Sequence, residues 1–103
     1  MLIVMTTVAD AAAGGKLAEK IVGAKLAACV QILPEMRSVY YWEGRIQIEA
    51  EHLLLIKTLD ENYAELEVFI RSNHPYEVPE ITAIAAEKVS ESYLGWISKY
   101  LRP

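Results

Sequence analysis

The chain has 103 residues, one cysteine, 53% hydrophobic residues and a formal net charge of −4. This length predicts a single domain over residues 1–103, and the lone cysteine excludes an internal disulfide and favours the reducing cytoplasm. The basic residues are spread along the chain, and the apolar runs are far shorter than the roughly 20 residues of a membrane helix, so neither nucleic acid nor a membrane is an expected partner.

The first half of the chain predicts a strand, a helix and a long hairpin. The run Leu2–Val8 is rich in strand-forming residues and lacks polar alternation, which is typical of a strand covered on both faces. Asp10 is placed to cap the helix that follows. Two long strands, Ala28–Trp42 and Arg45–Thr58, then form a hairpin around a tight turn, and Pro34 is expected at an edge or a bulge because proline cannot donate to a ladder.

The second half of the chain predicts a helix, a strand and a final helix. Thr58 and Glu61 fit a capping box, and Asp60 is an alternative cap for the same helix. This helix is expected to end near Asn73, because the residue before a proline is pushed out of helical geometry. A fourth strand follows over Ile81–Ala86.

The last helix opens at Ser90 or Ser92, which completes a β-α-β-β-α-β order with one additional C-terminal helix. This order is typical of the ferredoxin-like α+β fold, an antiparallel sheet with both crossover helices on one face. The opposite face then needs a cover, and the apolar surplus of the chain favours a partner as that cover. We therefore expect self-association, with the long hairpin reaching a neighbouring subunit, although the number of subunits does not follow from these patterns.

Five segments carry a resemblance to a known family. In chain order they are KLAACVQILP, VYYWEGRIQ, LLLIKT, HPYEVPEI and YLGWI. Together they resemble the CutA family of divalent-cation tolerance proteins over nearly the whole chain, from Met1 to Leu101. The resemblance implies a ferredoxin-like fold, a homotrimer, a mostly cytoplasmic location and an architecture like that of the P-II signalling proteins. It also implies copper binding, which is ascribed to some members, and no established catalytic reaction.

His74 is the candidate metal ligand, for copper or another divalent cation, and Glu77 is a second candidate. Thr6 stands where some family members carry a cysteine, and Asn73 where some carry a second histidine, so the resemblance transfers a copper ligand only at His74. In an extended segment Glu80 would lie about 20 Å from His74, at roughly 3.3 Å per residue. A chelate there needs a sharp bend or a neighbouring subunit, since a transition-metal site usually takes three or four ligands.

A ligand pocket is predicted from Trp42, Lys57, Tyr76 and Glu80. Lys57 follows a strand segment that is apolar on both faces, where an ammonium group is costly unless a carboxylate pairs with it. Glu80, at the head of the adjacent strand, is the expected partner, and a solvated strand end is the alternative. With Trp42 and Tyr76 at a subunit seam, this ion pair would form a polar pocket with aromatic walls, suited to a small anionic or amphipathic ligand.

Three consecutive aromatic residues, Tyr40, Tyr41 and Trp42, end the first strand of the hairpin. We interpret them as anchors of the hairpin against a neighbouring subunit, because aromatic residues are enriched in interface cores. Stacking on a ligand is the alternative function for these rings.

The functional prediction is a regulatory or binding protein rather than an enzyme. The sequence contains no catalytic or nucleotide-binding fingerprint. The resemblance implies a homotrimeric cytoplasmic protein linked to divalent-cation tolerance, and the pocket is expected at its subunit interfaces. The first alternative is a trimeric scaffold for protein partners that binds neither metal nor ligand itself, and the second is an unrecognised enzyme with its site at the subunit seam. Copper or another divalent cation is the only cofactor considered.

Overall fold

Five strands and three α-helices follow one another in the computed structural model, which describes residues 1–102. The strands are β1 (Leu2–Val8), β2 (Cys29–Ile32), β3 (Met36–Trp42), β4 (Arg45–Thr58) and β5 (Thr82–Ala85). The helices are α1 (Ala11–Gly23), α2 (Tyr63–Asn73) and α3 (Glu91–Leu101), and a 3-10 turn at Asp60–Asn62 precedes α2. Within these residues, no helix has the length and apolar character needed to cross a membrane. The predicted α+β order with an additional C-terminal helix is confirmed.

The sheet is antiparallel throughout, with the strand order β2-β4-β1-β5 and with β3 paired to β4. β1 lies in the centre, so Ile3 stands opposite Lys57 of β4 on one side and opposite Ile84 of β5 on the other. This is the order expected of a ferredoxin-like sheet, in which each helix connects strands that are not neighbours.

Pro34 divides the predicted long second strand into β2 and β3, as its missing N–H group predicts. Both pieces pair with the single long strand β4. The pairing of β3 with the first half of β4 forms a two-stranded ribbon over residues 36–51, which we call the arm. Its turn residues Glu43 and Gly44 have φ angles of +49° and +82°, the left-handed geometry of a tight two-residue hairpin.

Helices α1 and α2 cover one face of the sheet. The shared core contains Val4, Val8, Leu17, Ile21, Leu54, Ile56, Leu66 and Ile70. On the opposite face, Ile3, Met5, Leu53 and Leu55 are only partly buried. The crossover helices α1 and α2 therefore leave this face uncovered, as the element order predicts. Helix α3 packs separately, with Ile97 against Ala28 and Leu59.

Two of the predicted helix caps are confirmed. The Asp10 carboxylate accepts a hydrogen bond of 2.7 Å from the backbone N–H of Ala13 at the start of α1. The Ser90 hydroxyl accepts a bond of 3.3 Å from the N–H of Tyr93, so Ser90 rather than Ser92 caps α3. Each satisfies one of the backbone donors that a helix N-terminus leaves without a partner.

The predicted capping box at Thr58 is wrong. Thr58 is the last residue of β4, and its buried hydroxyl donates a hydrogen bond of 2.6 Å to the carbonyl of Leu26. Helix α2 begins only at Tyr63, after the 3-10 turn, and Asp60 does not cap it either. The sequence pattern misplaced the start because the extra turn separates the strand from the helix.

A matched pair of glycines in α1 provides a stability test. A Cβ atom at Gly14 would lie 3.0 Å from a methyl group of Val8, whereas one at Gly15 would meet nothing within 4 Å. We expect Gly15→Ala to raise the free energy of unfolding by up to about 1 kcal/mol, the helix-propensity difference between the two residues. Gly14→Ala should raise the free energy of unfolding clearly less, since its methyl group must displace the Val8 side chain. Equal gains for both variants in urea unfolding would contradict this packing.

Candidate functional site

A groove of about 680 Å³ runs between the arm and the segment that follows α2. We call it the arm groove. Its lining includes Thr7 of β1, Met36, Ser38, Tyr40 and Trp42 of β3, Gln47, Glu49, Glu51 and Leu53 of β4, and Tyr76, Glu77, Val78 and Glu80 after α2. Val39 of β3 also borders the groove, although strand alternation places its side chain on the other face of the arm. This volume lies in the range of small-molecule sites, so the groove is the candidate functional site.

Strand alternation divides the three aromatic residues of β3 between two faces of the arm. Tyr40 and Trp42 line the arm groove. Tyr41 points the other way, as successive strand residues do, and is 73% exposed. It lies opposite Ile46 on β4. The three rings predicted as interface anchors therefore lie on two faces of the arm: Tyr40 and Trp42 line the candidate site, and Tyr41 lies on the outer face.

His74 fixes the wall of the groove to the sheet. Its Nε2 donates a hydrogen bond of 2.7 Å to the carbonyl of Thr7, and its Nδ1 accepts a bond of 3.1 Å from the backbone N–H of Tyr76. The ring is 8% exposed and lies against the Tyr76 ring at a centroid distance of 4.7 Å. This pattern assigns the proton to Nε2 and requires a neutral imidazole.

A further hydrogen bond joins the segment after α2 to strand β4. The Tyr76 hydroxyl donates to the Glu51 carboxylate over 2.8 Å. Burial raises the pKa of the Tyr76 phenol, and the Glu51 carboxylate raises this pKa further by accepting the phenolic proton and by its negative charge. Tyr76 therefore stays a neutral donor, and together with His74 it ties β1, β4 and the segment after α2 into one wall.

The groove is acidic. Glu49, Glu51, Glu77 and Glu80 line it, and the described lining contains no lysine, arginine or histidine. An anion placed there would meet four carboxylates and no cationic partner. The predicted anionic ligand is therefore wrong for this groove, because the one lysine on which that prediction depended lies elsewhere.

Lys57 does not pair with Glu80. The prediction assumed that their strands are neighbours, whereas β1 lies between β4 and β5. The Lys57 ammonium group donates to the Gln31 side chain over 2.7 Å and lies 5.9 Å from the centre of the Tyr93 ring. It stands four residues beyond the groove residue Leu53, a separation of about 13 Å along β4. Of the predicted pocket residues, the structure brings together Trp42, Tyr76 and Glu80.

The residues of one chain do not fit a copper site. Both ring nitrogens of His74 are occupied by main-chain partners, so neither is free to bind a metal. Thr6 is fully buried, the Asn73 side chain donates to the Phe69 carbonyl over 2.8 Å, and Glu77 is an exposed residue of the groove. In residues 1–102 no group of three or more histidine, cysteine, aspartate or glutamate residues is gathered around a point that could hold a metal ion. The assignment of His74 as a metal ligand is replaced by a structural role.

Sequence reasoning missed Glu49, Glu51 and Thr7 as groove residues. The alternation of polar and apolar residues in the arm shows that Glu49 and Glu51 share a face of β4. That this face meets the segment after α2 depends on the tertiary fold. Thr7, next to Thr6 at the end of an apolar strand, carries no local signal of a site.

Comparisons with known proteins agree on one family. The model of the CutA1 divalent ion tolerance protein family matches residues 2–100. The chain is 44% identical over 101 residues to "Protein CutA, chloroplastic" of Arabidopsis thaliana, covering 98% of this chain and 56% of that protein. It is 37% identical over 100 residues to the "Divalent-cation tolerance protein CutA" of Yersinia pestis (strain Pestoides F), covering 97% of this chain and 84% of that protein.

Solved structures show the same likeness in three dimensions. A crystal structure of a mutant CutA1 from Pyrococcus horikoshii OT3 superposes with a TM-score of 0.95 at 34% sequence identity, and each chain is covered completely. The chain spans a little over half the length of the chloroplastic plant relatives, 57% for rice and 56% for Arabidopsis.

Proposed function

The chain belongs to the CutA1 divalent ion tolerance family, and from this premise we propose that it is a homotrimeric regulatory or binding protein of the cellular response to divalent cations. In this proposal it is not an enzyme, it works in the cytoplasm, and it resembles the P-II signalling proteins in acting through what it binds. The lone cysteine and the lack of catalytic fingerprints in the sequence support the cytoplasmic location and the non-enzymatic role.

The observation that supports self-association is the apolar outer face of the arm, and the number three is proposed from family membership. Val39, Tyr41, Ile46 and Ile48 are between 63% and 73% exposed. They form two cross-strand pairs, Tyr41 with Ile46 and Val39 with Ile48, and so make one continuous patch. Exposed apolar patches of this kind mark interaction sites. A closed assembly lets the outer face of each arm pack against a neighbouring subunit.

The arm groove favours a binding protein over a scaffold without ligands. Its walls are held by hydrogen bonds from His74 and Tyr76, so the groove is preformed rather than an opening between loose segments. Trp42, Tyr76 and Glu80 remain proposed ligand-contacting residues, joined by Glu49 and Glu51, and Lys57 is removed from the set. No metal ligand is assigned within one chain, so copper and other divalent cations enter this proposal through family membership alone.

The mass of the protein in solution tests the assembly. We expect sedimentation velocity to give a species of three times the chain mass of 11.6 kDa. The expectation holds at micromolar concentration, because an apolar interface of this kind is stable on dilution. A monomer at micromolar concentration would overturn the proposal, and a dimer would retain the interface while excluding threefold symmetry.

A further inference from the structure

The arm groove holds a buried carboxylate that the chain itself does not neutralise. Glu51 is 7% exposed, and its hydrogen-bond partner is the neutral Tyr76 hydroxyl, which engages one of its two oxygens. The described residues place no lysine, arginine or histidine in the groove. A buried charge is expensive unless an opposite charge pairs with it. Among the described residues, Glu51 therefore has no cationic partner.

Thr7 supplies a second polar group with free capacity. It is 7% exposed and lines the groove. Its carbonyl accepts from His74, whereas no hydrogen bond of its hydroxyl occurs among the described residues. Since Thr7 stands opposite Leu53, Glu51 is its diagonal neighbour on the same face, at about 7 Å between backbones. One donor-rich group between them could satisfy both the hydroxyl oxygen and the free carboxylate oxygen.

Aromatic rings complete the environment of a cation. Tyr40, Trp42 and Tyr76 line the same groove. The faces of such rings attract ammonium groups and also pack against apolar parts of a ligand. Glu49, Glu77 and Glu80 add negative charge along the groove, which concentrates cations near its mouth.

The size and spacing of the groove favour an organic cation over a metal ion. A metal ion needs three or more ligand atoms converging on one point, and residues 1–102 contain no such group. The carboxylates are instead distributed around a volume of about 680 Å³. We propose that the arm groove binds an organic cation, an ammonium head carried on an apolar or aromatic body, with the head between Glu51 and Thr7 and the body against Trp42.

This inference rests on the proposed binding function only in taking the groove as its site. The probe is benzylammonium, compared with neutral benzyl alcohol and anionic benzoate, which share its ring. Titrations use the full chain in its own assembly, with Trp96→Phe as the background so that Trp42 is the only fluorescent indole. We expect benzylammonium to change the Trp42 fluorescence saturably, benzyl alcohol to bind at least about tenfold more weakly, and benzoate not to bind.

Two matched variants test whether binding of the amine needs the charge of Glu51. Glu51→Gln keeps the shape of the side chain and an acceptor for Tyr76 but removes the charge. It should weaken the binding of benzylammonium about tenfold or more. Glu19→Gln makes the same change on the exposed surface of α1 and should leave the affinity unchanged. Thermal unfolding of each variant shows whether it is folded.

Several outcomes would overturn the inference: no binding of benzylammonium, equal binding of the alcohol, an unchanged affinity in Glu51→Gln, or stoichiometric displacement of the amine by zinc ions. A neighbouring subunit that fills the groove would give the first of these. Sedimentation separates this failure from that of the proposed function. A trimer that does not bind the amine would overturn only this inference. A monomer that binds the amine would overturn only the proposed trimer.

Discussion

The double variant Ile46→Lys/Ile48→Lys is expected to dissociate the proposed trimer into monomers. Both residues lie on the outer face of the arm, 71% and 63% exposed in the isolated chain. Burying an isoleucine side chain is worth about 1.5–3 kcal/mol. Because about 1.4 kcal/mol corresponds to a tenfold change in a binding constant, losing two such contacts weakens each interface at least about a hundredfold. The lysine charges, which would be buried without partners, add to this loss.

The fold of the monomer should survive these substitutions. Neither isoleucine belongs to the core between the helices and the sheet, so circular dichroism should be unchanged. Val68→Lys is the matched control, since Val68 is an exposed apolar residue of α2 at 54% exposure. Sedimentation equilibrium of the three proteins measures the effect. An undiminished trimer in the double variant would show that the outer face of the arm is not the interface.

His74→Ala is expected to lower the free energy of unfolding by about 2–4 kcal/mol. The substitution leaves the Thr7 carbonyl and the Tyr76 N–H without their partner, and each buried group left unsatisfied costs about 1–3 kcal/mol. The segment after α2 also loses its attachment to β1, so the Tyr76–Glu51 hydrogen bond should weaken with it. Urea unfolding at constant protein concentration measures the change.

His52→Ala separates this specific role from the general cost of removing a histidine. His52 is partly buried and makes one hydrogen bond, 2.9 Å from its Nδ1 to the carbonyl oxygen of Leu33. We expect its loss to cost about 1 kcal/mol, the ordinary value of one hydrogen bond. Calorimetric titration with copper ions should give the same result for His74→Ala as for the unmodified chain. Stoichiometric copper binding that is lost in His74→Ala, with stability unchanged, would restore His74 as a metal ligand.

Patterns of short range predicted most of the fold. The break at Pro34, the turn at Glu43 and Gly44 and the caps at Asp10 and Ser90 each depend on the chemistry of a few neighbouring residues. The start of α2 was misplaced because a 3-10 turn has no distinct sequence signature. The order of elements was enough to predict a sheet with one uncovered face.

The site was less predictable because its parts meet only in the folded sheet. Lys57 and Glu80 looked like partners as long as their strands were taken as neighbours, and the central position of β1 separates them. His74 looked like a free ligand because no sequence pattern shows that the Thr7 carbonyl lies within 2.7 Å of its ring. The residue pattern along the chain therefore predicted Tyr76 as a groove residue, but it did not predict Glu51, the carboxylate to which Tyr76 donates a hydrogen bond.

The arm is a two-stranded ribbon with one apolar face and one acidic face. The alternation of side chains along its strands decides on which face each residue lies. Inserting one residue into the arm part of β4, with a compensating deletion before Leu53, would exchange the faces of the residues between the two changes. Carboxylates there would turn toward a neighbouring subunit and isoleucines toward the groove. The rest of β4 would keep its faces, so the sheet and helices, whose core lies outside residues 36–51, would be left intact. The proposed assembly and the proposed ligand binding thus depend on the same strand alternation, and such a change should abolish both without unfolding the protein.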